Sequence, residues 1–280
     1  MNNPQAAAGS GRILDLKDVS VHFGGVKAVN HVSLTMDKGE FIGLIGPNGA
    51  GKSTLLNLVS GSIAPTGGEI LFKGASIADK TPDELCHLGI SRTFQNIRLF
   101  PKMSAFENVA LGLHGRPHYS MLQALVYSPG VARKDAEVRE RAHALLEIVG
   151  LSAHADKGAG DLSYGLQRRL ELARAMATDP QLLLLDEPAA GMNEEECETL
   201  TALIRQIHQQ FGYSVILIEH HIKVVMELCK NSTIYVLNLG EMLAKGSPQE
   251  IQSDTRVINA YLGEKRTTNG RTRRQVSRGC

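Results

Sequence analysis

"GPNGAGKST", Gly46 to Thr54, is the stretch that decides the fold. The apolar run "EFIGLI" precedes it and "LLNLVSG" follows, so it reads as strand, glycine-rich loop and helix. It satisfies GxxxxGK[ST] with Gly46, Gly51, Lys52 and Ser53. Glycines let a backbone wrap close to an anion and aim successive N–H groups at it. The following helix adds its positive end, roughly half an elementary charge. The loop, with Asn48, Gly49 and Ala50 inside it, is expected to hold nucleotide phosphates. Lys52 would reach the β- and γ-phosphates, Ser53 would ligate Mg²⁺, and Thr54 would stand near the α-phosphate.

A phosphate loop needs a metal ligand and a base before it does chemistry. "QLLLLDEP" supplies both: a short apolar run, as in a buried parallel strand, ends in Asp186 and Glu187. Asp186 fits the metal side, and Glu187, facing differently, is placed to polarise a water. "SVILIEHH" has the same strand form. Between these two runs, Leu200, Leu203, Ile204 and Ile207 recur at helical spacing. Buried strands alternating with amphipathic helices make an α/β fold with a parallel sheet.

Earlier, "ILDLKDVSVHF" and "VSLTMDKGEFIGLIG" flank the turn signal Gly24-Gly25, and "GGEILFKG" adds a short strand. The middle, about 96–170, reads as a helical insertion. Val138, Ala142, Leu145, Leu146 and Val149 mark one helix there, with Gly150 as its stop. Residues 1–11 are small and polar, and the tail 264–280 is basic; from Lys265 it holds six Lys/Arg and no acid. Both ends are expected to be disordered.

Composition narrows the classes. Apolar residues at 42% and charged residues at 21% are ordinary for a globular chain. A formal net charge of +1, no Trp and 5% aromatics speak against a nucleic-acid partner. Cys86, Cys197, Cys229 and Cys280 show no CxxC spacing, so neither a zinc nor a disulfide framework is expected. No apolar run is long enough to span a bilayer.

"LSYGLQRRLELARAMA", between the two phosphate-site motifs, resembles the signature segment of ABC-transporter ATPases. Gln95 in "RTFQNIRLF" is similar to that family's Q-loop glutamine, His220 in "IEHH" to its switch histidine, and Phe23 to its adenine-stacking aromatic. The resemblance covers about residues 12–263. It implies an ABC-type P-loop NTPase with a RecA-like parallel core, an antiparallel β subdomain and a helical subdomain. It also implies ATP and Mg²⁺ as cofactors. Ser53, Gln95 and Asp186 would hold the metal, Lys52, Glu187 and His220 would serve catalysis, and Ser163 and Gly165 would meet ATP on a partner subunit.

The signature here reads Leu162-Ser163-Tyr164-Gly165-Leu166, and several positions depart from the family pattern. Leu166 replaces the glutamine of LSGGQ, so no N3 amide can complete a capping box behind Ser163. Asn193 and His221 each stand where the family has aspartate. "DEPAAGMN", "YGLQRRLELARA" and "VINAYLGE" resemble the branch serving branched-chain amino acid uptake. That branch implies membrane permeases, a second ATP-binding subunit, indirectly a periplasmic solute-binding protein, and a peripheral site on the cytoplasmic face of the inner membrane. Cargo such as another amino acid, an amide or urea stays open, as does a non-transport ATPase or a nucleotide-dependent module with little turnover.

Overall fold

The computed structural model describes residues 11–114 and 129–262. Of the two ends expected to be disordered, 1–11 and 264–280, all but Gly11 lies outside them, as does 115–128 within the expected helical insertion. Contacts divide the chain into two compact units, Met1–Lys80 with Cys229–Cys280, and Thr81–Leu228. Among the described residues no helix is long and apolar enough to cross a membrane.

The first unit carries the antiparallel sheet. β1 (Arg12–Phe23) and β2 (Val26–Asp37) pair through the Gly24-Gly25 turn, with Phe23 opposite Val26 and Leu16 opposite Leu34. β4 (Gly67–Phe72) pairs with the other edge of β1, and β5 (Ala75–Ser76) with β4, giving the order β2-β1-β4-β5. Alternation puts Leu14, Leu16, Leu34, Met36, Ile70 and Phe72 in the core. β3 (Phe41–Ile45) is buried throughout and runs parallel to β9 (Thr233–Asn238). The stretch "VSLTMDKGEFIGLIG" is thus two strands, parted at Gly39, whose φ of 76° turns the chain. β9 returns as β10 (Glu241–Gly246) through Leu239 and Gly240, both at positive φ, as a two-residue hairpin requires. Helices α1 (Lys52–Val59) and α8 (Pro248–Ser253) belong to this unit, as does a further helical run over 255–262.

The second unit holds the parallel strands β6 (Ile90–Arg92), β7 (Leu182–Asp186) and β8 (Ser214–Ile218), with β7 central. Every residue of β7 and β8 is buried, which explains runs without polar alternation. α2 (Pro82–Leu88) starts on a Thr81–Glu84 capping box. α3 (Ala105–His114), α4 (Pro129–Ile148) and α5 (Tyr164–Ala177) form the helical region, packing on Val109, Ala142, Leu146, Leu170 and Ala173. Gly150, at φ 70°, closes the α4 turn as expected. α6 (Glu194–Phe211) buries Leu200, Leu203, Ile204 and Ile207, and α7 (Ile222–Leu228) follows β8.

Candidate active site

β3 ends at Ile45, and the chain turns at Gly46, whose φ is 153°. A Cβ on Gly46 would lie 2.1 Å from the Leu237 carbonyl oxygen, and one on Gly51 would lie 2.4 Å from that of Ala28. Glycine is therefore required by both the torsion and the space. The Gly240 N–H donates to Ala50 and the Asn30 N–H to Gly240, which ties the loop to the β9–β10 turn and to β2. α1 starts at Lys52 with Gly51 as N-cap and no side-chain cap bond, so its first-turn N–H groups keep their pull on an anion. The buried Lys52 ammonium arches back, donating to the carbonyls of Gly46 (2.8 Å) and Pro47 (2.9 Å). Ser53 is exposed and Thr54 half-buried. Phe23 is exposed at the end of β1. Gly46→Ala is expected to lower stability by about 2–4 kcal/mol, because carbonyl and Cβ cannot share that space. Thermal denaturation measures it; Gly25→Ala, with nothing within 4 Å, is the control. An unchanged Tm for Gly46→Ala would contradict the close approach.

In the second unit, Asp186 closes β7 and Glu187 follows at φ 48°, a left-handed conformation that costs a side chain about 1–2 kcal/mol. Its backbone is held on both sides, the Glu187 N–H on Ile218 and the Ala190 N–H on the Glu187 carbonyl. Gln95 Nε2 donates to Glu187 Oε2 at 2.6 Å, and His220 Nε2 lies 2.6 Å from Glu187 Oε1. Both carboxylate oxygens are thereby fixed, in a residue 8% exposed. Arg92 donates to Asp186 Oδ2 at 2.7 Å, while the buried Oδ1 has no hydrogen-bond partner.

Ser163 sits at the N-cap position of α5, but its side chain makes no cap bond. The amide one residue past Leu166 turns back instead, with Gln167 Nε2 donating to the Leu162 carbonyl at 2.9 Å. The absence of a capping box there follows the sequence reading. Gly165 is half-buried, and a Cβ on it would sit 3.1 Å from Glu196 Oε1.

A family model described as ABC transporter matches residues 29–190, the span from β2 to just past Glu187. The chain belongs to the ABC transporter family. A second model, branched-chain amino acid ATP-binding cassette transporter, matches residues 241–266. The cassette is 41% identical over 252 residues to the high-affinity branched-chain amino acid transport ATP-binding protein LivG of Salmonella typhimurium, covering 90% of this chain and 98% of that one. It is 42% identical over 252 residues to the corresponding protein BraF of Pseudomonas aeruginosa, with the same coverage. Among solved structures, it matches the ADP conformation of an ABC-transporter cassette with a TM-score of 0.78 and 32% identity, over 91% of this chain and 100% of that chain. A nucleotide-free cassette matches with a TM-score of 0.76 and 32% identity, over 89% and 98%. The fold is that of the ABC-type P-loop NTPase.

The cassette uses residues that the sequence did not single out. Glu219, 2% exposed, accepts the Ala189 N–H on Oε1 (2.7 Å) and the His220 and His221 N–H groups on Oε2. It fixes the backbone on which His220 stands, and His221 Nδ1 is 3.6 Å from the same oxygen. The support expected from an aspartate after the histidine comes instead from the acid before it. Asn193 caps α6, its Oδ1 accepting from Glu196 N and its N–H donating to Glu196, a role that needs a hydrogen-bonding side chain and no charge. An acid directly before a histidine pair was the available signal for Glu219.

Mg²⁺ binds through few protein oxygens and fills its sphere with water and substrate phosphate. The partnerless Asp186 Oδ1 is an acceptor of that kind, and among the described residues no His/Cys/Asp/Glu cluster forms a softer site. That oxygen fits what Mg²⁺ requires of a protein ligand.

Proposed function

We propose that this chain is the ATP-hydrolysing subunit of an importer for branched-chain amino acids. The observation that carries the reading is Glu187, held at 2.6 Å by both Gln95 and His220 beside the Asp186 carboxylate. A carboxylate held at both of its oxygens by nitrogen groups is oriented for one task, taking a proton from an attacking water. Lys52 and the amides of Gly46, Asn48, Gly49, Ala50, Gly51, Ser53 and Thr54 would hold the phosphates. Phe23 would stack on adenine. Ser53, Gln95 and Asp186 would hold Mg²⁺ directly or through water, and the ion would neutralise charge developing on the phosphate oxygens. His220 would fix both Glu187 and the water. Ser163 and Gly165 would close on ATP held by a second ATP-binding subunit.

The cargo reading rests on the relatives' names and on the match over residues 241–266. Partners would be membrane permeases, with a periplasmic solute-binding protein acting through them, and the chain would sit peripherally on the cytoplasmic face. Uptake of labelled leucine, isoleucine and valine in cells lacking the gene tests it. Uptake is expected to fall at least tenfold and to return with the parent gene. Unchanged uptake of all three would overturn the cargo assignment, and a loss of amide or urea uptake in the same cells would name the alternative.

A further inference from the structure

Beneath the glutamine that meets Glu187 lies a buried ion pair to which no role has been assigned above. Arg168 and Glu171, one turn apart on α5, have side chains 2% and 3% exposed and meet at 3.1 Å. A desolvated pair costs stability unless further hydrogen bonds satisfy it, and here nearly all of those bonds go to the segment around Gln95. Arg168 Nη1 donates to the Phe94 carbonyl at 2.6 Å, and Nη2 donates to the Gln95 carbonyl. Glu171 Oε1 accepts the N–H groups of Phe94 (3.3 Å) and Arg98 (3.4 Å). Burial pushes the Glu171 carboxyl above its usual range, against the opposing pull of Arg168 and of those N–H groups. The segment is thus gripped by both its carbonyls and its amides.

The same guanidinium reaches further. Arg168 Nη2 also donates to the Tyr164 hydroxyl at 2.9 Å, and that hydroxyl donates to the Ala190 carbonyl at 3.0 Å. The Ala190 N–H returns to the Glu187 carbonyl at 3.1 Å. The result is a closed ring from the Glu187 carboxylate through Gln95, Arg168, Tyr164 and Ala190 to the Glu187 backbone. Tyr164 occupies the third position of the signature segment, where LSGGQ has glycine, so this chain carries a hydroxyl that the common pattern lacks.

We infer that Arg168, Glu171 and Tyr164 are positioning residues that hold Gln95 against Glu187, so that the signature helix sets the geometry of the water-activating carboxylate. The inference rests on the ATPase reading. Hydrogen-bond rings of this kind are worth more than their separate bonds, and coupling between members is what a mutant cycle detects.

The test is steady-state and single-turnover phosphate release by the full chain. Tyr164→Phe keeps the aromatic side chain and removes only the hydroxyl, opening the hydrogen-bond ring; kcat is expected to fall about three- to tenfold with KM for ATP within twofold. Arg168→Met with Glu171→Leu replaces the pair by apolar side chains of similar volume, the exchange that buried pairs tolerate. It is expected to cost at least tenfold in kcat at an unchanged KM. In a Gln95→Ala background the Tyr164→Phe factor should shrink towards one, which a merely structural role would not produce. If the double variant does not fold, the Tyr164→Phe pair of measurements decides alone. Parental kcat in Tyr164→Phe, or the same factor persisting without Gln95, overturns the inference. Absence of turnover in the parent overturns the ATPase reading and this inference with it.

Discussion

Lys52→Ala is expected to weaken ATP binding by about a hundredfold or more. The Nζ atom is buried and sits on the Gly46 and Pro47 carbonyls at 2.8 and 2.9 Å, within the curve of the phosphate loop. Charge-assisted hydrogen bonds of this kind contribute about 1.5–3 kcal/mol each. Losing one or two of them to phosphate oxygens corresponds to roughly one to four decades of affinity. Alanine also leaves the Gly46 and Pro47 carbonyls without their donor, so the loop itself loosens. Titration with a fluorescent ATP analogue measures the affinity, and a melting curve separates loss of fold from loss of contact. Parental affinity in a folded Lys52→Ala protein would remove the phosphate-loop reading, and the importer with it.

Glu187→Gln is expected to lower kcat by about 10²–10⁴, the range spanned by positioned general bases. The substitution conserves shape, so Gln95 and His220 can still flank the side chain while the basic oxygen is gone. ATP affinity should stay within about threefold, because the substitution conserves shape and removes only the proton-accepting oxygen. Phosphate release under single turnover reads the chemical step directly. Bound ATP should persist uncleaved, visible as unhydrolysed nucleotide co-eluting with the variant in size-exclusion chromatography. A variant that turns over at the parental rate would strip Glu187 of its role and leave the strained backbone at φ 48° unexplained.

Much of the site was legible in the sequence because its chemistry is local. The phosphate loop is one continuous stretch whose glycines, lysine and hydroxyls are all required by the same few ångströms of backbone. Asp186 and Glu187 follow an apolar run long enough for one buried strand, and Leu200 to Ile207 repeat at helical spacing. Strands of a different kind escaped. β9 and β10 carry no strong turn signal beyond Leu239-Gly240, and β6 is only three residues long, so its pairing with β7 decides its existence. "VSLTMDKGEFIGLIG" shows where a single turning glycine divides what periodicity alone leaves continuous.

The residues that hold the site in place were not legible, for a physical reason. Arg92, Arg168, Glu171 and Glu219 are charged side chains that a linear reading assigns to solvent, the usual place for charge. Their burial follows from partners far along the chain. Arg92 meets Asp186 across 94 positions, and Arg168 meets Phe94 across 74. One signal existed: Arg168 and Glu171 share a helical face with the buried Leu172 and Ala175, and charge on an apolar face calls for a partner.

The order of residues alone marked Gly46–Thr54 as a glycine-rich loop between a strand and a helix, and placed two carboxylates at the end of a buried strand. Those features need only short-range torsion and alternation. Which groups Glu187 touches, what Asn193 and His221 contact where the family has aspartate, and how α5 reaches Gln95 were settled by tertiary structure alone. Each depends on desolvated hydrogen bonds between segments brought together by folding, and no local pattern encodes such a distance.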